Sequence, residues 1–316
     1  MTVTDMYPDY RGSGHRPADF DAFWQQALAE MRAIKPEVEQ KPVGIHSSVA
    51  QAYDYWFTGV GQARIHAQLI MPKDYDPKQA HKGLLMFHGY HCDAGDFTQK
   101  FNWAAEGFVV LAIDVRGQGG PSVDTTQTSG GTLKGLIIRG VEDGPQHLYY
   151  RSVFLDCAEA ADLLAAMPGV DPDRIYAMGG SQGGGLTLAT LGLVPTIHRA
   201  YVNYPYLCDY RKAYALGAEN NGYDQLAYWF RYRDPLHERE AAFFDTLEYI
   251  DVAHFTPQIK TPLIWGLGLQ DKVVPPVTQF GAYHQLTGEK QLYILPEYGH
   301  EFLPKVGDRA YDFFMD

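Results

Sequence analysis

The run Gly179-Gly180-Ser181-Gln182-Gly183 sets a serine between glycines. An apolar stretch, Ile175-Tyr176-Ala177-Met178, precedes it, and a helix-like stretch, Leu186 to Leu193, follows. Strand, sharp turn and helix form the local setting in which a serine hydroxyl projects above a sheet edge, on a backbone that accepts only small neighbours. Such a hydroxyl can attack a carbonyl carbon once a base takes its proton. The base should be a histidine whose far nitrogen is held by a carboxylate, and two backbone N–H groups should receive the negative oxygen that develops. A glycine-flanked serine is a weak pattern by itself, so the rest of the chain must supply these partners.

In this setting the chain order is serine, acid, histidine. His198, His237, His254, His284 and His300 follow Ser181. Only His300 stands directly behind a predicted strand end, in Leu295-Pro296-Glu297-Tyr298-Gly299-His300-Glu301, where Gly299 lets the loop turn the ring inward. The acid should lie in the loop after the preceding predicted strand, Pro262 to Gly266. Asp271 is the only acid in Leu267-Gly268-Leu269-Gln270-Asp271-Lys272, and Pro275-Pro276 would start the next helix. Asp251 is the alternative acid, but it precedes that strand and so lies at the wrong end.

One oxyanion donor is expected from the N–H of Gln182, the other from Tyr90 in His88-Gly89-Tyr90-His91, behind the predicted strand Leu84–Phe87. His88 and His91 are too few for a metal site, no Cys-x-x-Cys or His-x-x-x-His occurs, and neither metal nor cofactor is expected. His88 is read as structural. Asp114-Val115-Arg116-Gly117-Gln118-Gly119-Gly120 follows another predicted strand, Val109–Ile113, but lacks Gly-x-Gly-x-x-Gly. Arg116 is therefore read as a tie between loops around the site rather than as a phosphate ligand.

The elements that must hold these groups are also legible. Short apolar runs at Leu84–Phe87, Val109–Ile113, Ile175–Met178, Ala200–Val202, Leu263–Trp265 and Leu292–Leu295 alternate with helical stretches such as Asp156 to Ala166 and Thr278 to Leu286. That rhythm predicts an α/β fold with a doubly wound, mostly parallel sheet, whose functional groups gather at the carboxyl ends of the strands. Alternation over 49–57 and 62–71 predicts an antiparallel hairpin feeding the sheet. Phe20, Phe23, Trp24, Ala27, Leu28 and Met31 recur at helical spacing within Pro17 to Ala33, with Asp19 as N-cap. Residues 1–45 read as an N-terminal extension, and 205–255 as a helical insertion before the acid-bearing strand that caps one end of the sheet. No Gly/Ser linker divides the chain, so residues 1–316 are read as one domain.

Composition sets limits on partners. Hydrophobic residues at 46% and charged ones at 20% suit a globular core. Lys and Arg number 26 against 38 Asp and Glu, a net charge of −12, which gives no electrostatic reason to bind nucleic acid or an anionic membrane. No run approaches eighteen apolar residues, and Met1 to Tyr10 has no apolar leader region, so a cytoplasmic location is expected. Cys92, Cys157 and Cys208 are too scattered for a disulfide framework and are expected to be reduced.

Together, Arg116-Gly117-Gln118, Gly179-Gly180-Ser181-Gln182-Gly183-Gly184 and His300-Glu301 resemble the acetyl xylan esterase and cephalosporin C deacetylase family, carbohydrate esterase family seven. Pro17-Ala18-Asp19-Phe20-Asp21-Ala22-Phe23-Trp24 and Tyr204-Pro205-Tyr206-Leu207-Cys208-Asp209 extend the resemblance over essentially the whole chain. It implies an α/β-hydrolase fold, a Ser181–Asp271–His300 triad, and Tyr90 and Gln182 as oxyanion donors. It also implies removal of acetyl groups from xylo-oligosaccharides and cephalosporin C by an intracellular, metal-free homo-hexamer whose sites face an inner chamber. Val274 stands where many relatives carry a cysteine, and residues 130–150 depart from the family pattern. The same triad would serve a peptidase or a longer-chain lipase, and a non-catalytic binding protein on this fold is a third reading.

Overall fold

The structure, a computed structural model, describes residues 7–130 and 134–316. The expectation for Met1 to Tyr10 therefore falls partly outside the described residues, as do 131–133 of the 130–150 segment. The chain opens with α1 (Phe20–Arg32), followed by β1 (Glu39–Pro42), β2 (Ala50–Gly59), β3 (Ala63–Pro72) and β4 (His81–Phe87). Then come α2 (Phe101–Ala105), β5 (Phe108–Ile113), α3 (Tyr149–Ala165), β6 (Val170–Gly180) and α4 (Gln182–Leu193). After β7 (Arg199–Asn203) the helices α5 (Tyr210–Ala215), α6 (Asp224–Arg233) and α7 (Glu240–Leu247) precede β8 (Leu263–Gly268), and α8 (Pro276–Gln285), β9 (Lys290–Leu295) and α9 (Val306–Met315) complete the chain.

Among the described residues the strands form one nine-stranded sheet in the order β1-β2-β3-β5-β4-β6-β7-β8-β9. The first three strands and the β3–β5 pair are antiparallel. From β5 through β9 every pair is parallel, as the alternation of apolar runs with helices requires. Phe87 pairs with Gly179, Gly180 with Asn203, Asn203 with Gly266, and Gly268 with Leu295. That register aligns the carboxyl ends of β4, β6, β7, β8 and β9 along one rim. Strands buried on both faces, such as β5 and β8, consist of near-continuous apolar residues, as a parallel sheet covered by helices demands.

Several boundaries differ from the sequence reading. The helix α3 begins at Tyr149, well before Asp156, because its first turns are buried all round and carry no one-sided pattern. The strand β1 pairs with β2 although all four of its residues are exposed, so it shows no alternation to read, and part of the 1–45 stretch thereby belongs to the sheet. The helix α9 went unread despite Val306, Ala310 and Phe314 forming a buried stripe. Asp19 occupies the N-cap of α1 but does not cap it; its carboxylate accepts from the Tyr249 hydroxyl at 2.6 Å. Phe20, Trp24, Ala27 and Met31 form the buried face of α1, with the Phe20 ring 4.9 Å from Phe255.

Two buried ionic groups brace the loops beneath the rim. Arg116 donates through Nε and a terminal nitrogen to both oxygens of Asp156 on α3, each at 2.6 Å, and to the Val60 carbonyl at 3.1 Å. Burial opposes its charge, but the Asp156 carboxylate outweighs burial and holds the guanidinium more firmly protonated than usual. His66 on β3 is clasped by Asp114 at 2.5 Å through Nδ1 and by Asp54 at 3.1 Å through Nε2. Burial again opposes the charge, and the two carboxylates overcome it, raising the histidine pKa. Asp114 also accepts from the Ala94 N–H at 2.6 Å, which ties this cluster to the loop behind β4.

Candidate active site

Ser181 lies between β6 and α4 with φ 55° and ψ −121°, a conformation that L-residues seldom adopt. The turn can close this tightly only because glycines surround it. A Cβ on Gly183 would lie 2.0 Å from the Phe87 carbonyl oxygen, and one on Gly179 would lie 2.4 Å from Gly183. The Ser181 N–H donates to the Asn203 carbonyl at 3.0 Å, and its own carbonyl accepts from Tyr206 at 2.9 Å, so β7 and the segment behind it fix the turn.

The structure brings Ser181, His300 and Asp271 together from the ends of three strands. His300 Nε2 lies 2.9 Å from Ser181 Oγ, and Nδ1 lies 2.8 Å from Asp271 Oδ2. An ionised carboxylate only accepts, so Nδ1 carries the proton and Nε2 presents its lone pair to the serine hydroxyl. The other Asp271 oxygen accepts from the Val273 and Val274 N–H groups at 2.9 and 2.8 Å. The Asp271 side chain is fully buried, whereas that of His300 keeps 18% exposure, so the ring opens toward solvent while its support does not. Asp251, the alternative acid, instead caps its own turn through the Ala253 N–H at 2.9 Å.

Gln182 follows the serine directly, and its side chain reaches the carbonyl of Gly89, the residue before Tyr90, at 3.4 Å. Neither the Tyr90 nor the Gln182 backbone N–H hydrogen-bonds to another described residue, which leaves both available to an incoming oxygen. His88 is structural: Nδ1 donates to the Gly89 carbonyl at 2.7 Å and Nε2 accepts from the Val115 N–H at 2.9 Å. Burial lowers its pKa, consistent with a neutral ring. His88 and His91 share no third ligand among the described residues; the group with metal-like spacing there is Glu248, Asp251 and His254. In that group Glu248 already accepts from His254 and Arg211, at 2.7 and 2.8 Å.

Sequence reasoning missed the aromatic wall of the site. The Tyr204 ring lies 4.5 Å from the His300 ring, and burial, followed by the Asp271 charge, raises its phenol pKa. Tyr206 faces Tyr90 at 5.9 Å, and its hydroxyl accepts from Gln225 at 3.1 Å while donating to the Gly222 carbonyl at 2.6 Å. These tyrosines stand in the 204–209 motif, and nothing in their spacing showed that the chain folds back over the serine. Tyr149 and Tyr150, at the unread start of α3, reach the same region from below. A groove of about 600 Å³ between the β1–β3 edge and the end of α3, lined by Tyr53, Tyr55, Met71 and Met167, contains none of these groups. The hydrogen-bonded serine, not cavity size, locates the chemistry.

Known proteins share this architecture. A family model described as acetyl xylan esterase (AXE1) matches residues 1–316. Acetyl xylan esterase 1 from Thermoanaerobacterium sp. JW/SL YS485 superposes with a TM-score of 0.95 at 42% identity, covering 100% of this chain and 98% of that one. The acetyl xylan esterase from Paenibacillus sp. R4 does so with a TM-score of 0.95 at 33% identity, covering 100% and 99%. The mostly parallel sheet and its helices are thus of the α/β-hydrolase type seen in those enzymes. Acetyl esterase Axe7A of Xylanibacter ruminicola is 27% identical over 291 residues, 89% of this chain; the match spans 62% of that longer protein.

Proposed function

Because the chain belongs to the acetyl xylan esterase family, we propose that it is a serine esterase that removes acetyl groups from small acetylated carbohydrates, xylo-oligosaccharides in particular, and from cephalosporin C. The observation that carries this reading is the unbroken hydrogen-bonded line from Ser181 through His300 to Asp271. In the reaction, His300 Nε2 takes the Ser181 proton as Oγ bonds to the acetyl carbon. The carbonyl oxygen becomes an oxyanion received by the Tyr90 and Gln182 N–H groups. As the carbonyl re-forms, the C–O bond to the sugar breaks and His300 gives its proton to the leaving alcohol. Water, deprotonated by His300, then attacks the acetyl-enzyme and releases acetate and free Ser181. Asp271 keeps the proton on Nδ1 and stabilises the imidazolium between the steps.

Acetyl, butyryl and octanoyl esters of one xyloside test the acyl preference. Turnover should fall steeply beyond acetyl; best turnover of the octanoyl ester would replace this reading with a long-chain lipase. The hexamer and the cytoplasmic location are part of the same proposal. A light-scattering mass of a monomer would remove the first, and recovery of the protein from the culture medium of its host would remove the second.

A further inference from the structure

We propose that Gln118 is a positioning residue that holds the two oxyanion donors in one frame; this rests on the serine-esterase reading above. Gln118 makes no hydrogen bond to Ser181; its partners are His91, Tyr149 and Gln182. Its Oε1 accepts from the His91 N–H at 2.8 Å, across the peptide that also carries the Tyr90 carbonyl. Its Nε2 donates to Gln182 Oε1 at 2.8 Å, and the Gln182 Nε2 donates back to Gln118 Oε1 at 3.2 Å. Two amides thus lie head to tail, one tied to the loop behind β4 and the other to the first residue of α4. The Tyr90 N–H belongs to the first body and the Gln182 N–H to the second.

The pair is itself held in place. Tyr150 donates to Gln182 Oε1 at 2.8 Å, and Gln118 Nε2 also donates to the Tyr149 hydroxyl at 3.1 Å, which in turn donates to the Arg116 carbonyl at 2.5 Å. The Gln182 side chain is completely buried, and its remaining contacts, to the His88 and Gly89 carbonyls, are long at 3.4 Å each. Without the Gln118 amide, those long bonds are the only hydrogen bonds left, among the described residues, between α4 and the loop that presents Tyr90, although the Cys92 carbonyl of that loop still accepts from the Gly119 N–H at 3.0 Å. An oxyanion hole works because its donors are fixed before charge develops, so loosening one donor against the other acts on the transition state and spares substrate binding.

The test uses Gln118→Met, similar in length without hydrogen bonds, and Gln118→Glu, which keeps the acceptor for His91 but loses the donors. The probes are 4-nitrophenyl acetate and an alkyl boronic acid that forms a tetrahedral adduct on serine. Gln118→Met should lose about 10- to 100-fold in kcat, less than the 10²–10³ for deleting a donor outright, with KM within about threefold. Boronic acid affinity should weaken by the same factor as kcat/KM, a correspondence expected of a lost transition-state contact. Gln118→Glu should fall between wild type and Gln118→Met, and it carries the test if Gln118→Met does not fold. A kcat within threefold of wild type in the folded variant, or a lost kcat with unchanged boronic acid affinity, would overturn the proposal. Wild-type protein that neither cleaves the ester nor binds the boronic acid would overturn the esterase reading instead.

Discussion

Asp271 divides its carboxylate between His300 and its own loop: Oδ2 meets Nδ1 of the histidine at 2.8 Å, while Oδ1 accepts two backbone N–H groups. The loop bonds fix the carboxylate, and the carboxylate fixes the tautomer of His300. Asp271→Asn would keep the loop bonds but offer an amide that favours the wrong histidine tautomer. We expect kcat for a small acetyl ester to fall by about 10³–10⁴-fold with an unchanged thermal unfolding midpoint. A loss below tenfold would show that His300 does not depend on this carboxylate.

The backbone of Ser181 makes a second prediction that separates chemistry from strain. Its φ of 55° and ψ of −121° suit glycine and penalise every other residue. Ser181→Ala and Ser181→Gly should both abolish ester turnover. They should differ in stability, however: relief of about 1–3 kcal/mol of strain, set against about 0.5–1 kcal/mol of extra unfolded-state entropy for glycine, leaves Ser181→Gly the more stable by about 1 kcal/mol. Calorimetric unfolding of the two variants decides it, and an alanine variant as stable as the glycine one would mean the turn stores no strain.

Arg116 and Asp156 form a buried pair whose partners cannot be removed singly. Arg116→Met leaves a buried carboxylate without its cation and should cost about 3–5 kcal/mol in urea unfolding. Adding Asp156→Leu should recover part of that loss, since the orphaned Asp156 is then gone while Asp124, the other buried carboxylate beside Arg116 at 3.7 Å, keeps Arg139 at 3.4 Å. If the double variant is as unstable as Arg116→Met, the cost lies in packing or in Asp124, and not in Asp156.

His66 makes the protein's stability depend on pH in a defined direction. Its pKa is raised in the folded state, so its contribution is fully present below the ordinary histidine pKa of about 6.5 and is lost as pH rises through the raised folded value. The stability gap between wild type and His66→Gln should therefore be widest near pH 5.5 and narrow toward pH 9. A gap that widens with pH would mean that His66 is neutral between its two carboxylates.

Much of this arrangement is legible in the amino-acid sequence, and the reasons are specific. Ser181 and its glycines announce themselves because steric exclusion leaves few residues able to occupy that turn. His300 and Asp271 are marked by their place behind predicted strands, and the structure puts them 2.8 Å apart. The rest resisted for physical reasons. The helix α3 is buried on every side at its start, so Tyr149 and Tyr150 show no face to read. The edge strand β1 is exposed throughout and equally featureless. Asp19 had the right type for a cap, but Tyr249, distant in sequence, claimed its carboxylate. Tyr204, Tyr206 and Gln118 owe their contacts to long-range folding, which one-dimensional spacing does not encode.

The chain leaves the sheet at Asn203 and returns to the neighbouring strand at Leu263, where Ala200 pairs with Leu263 in unbroken parallel register. Residues 204–262 therefore form an excursion with both ends anchored to adjacent strands. Its tyrosines overlook the serine, yet the rim positions of residues 181, 271 and 300 are set by pairings in which its helices take no part. Apart from the anchors it lends the rim, the Tyr206 N–H to the Ser181 carbonyl at 2.9 Å and the Gly222 N–H to the Val273 carbonyl at 2.8 Å, the excursion can be lengthened, shortened or rewritten to change what the enzyme admits. Selection for a new substrate would accumulate its substitutions there first and leave the rim untouched.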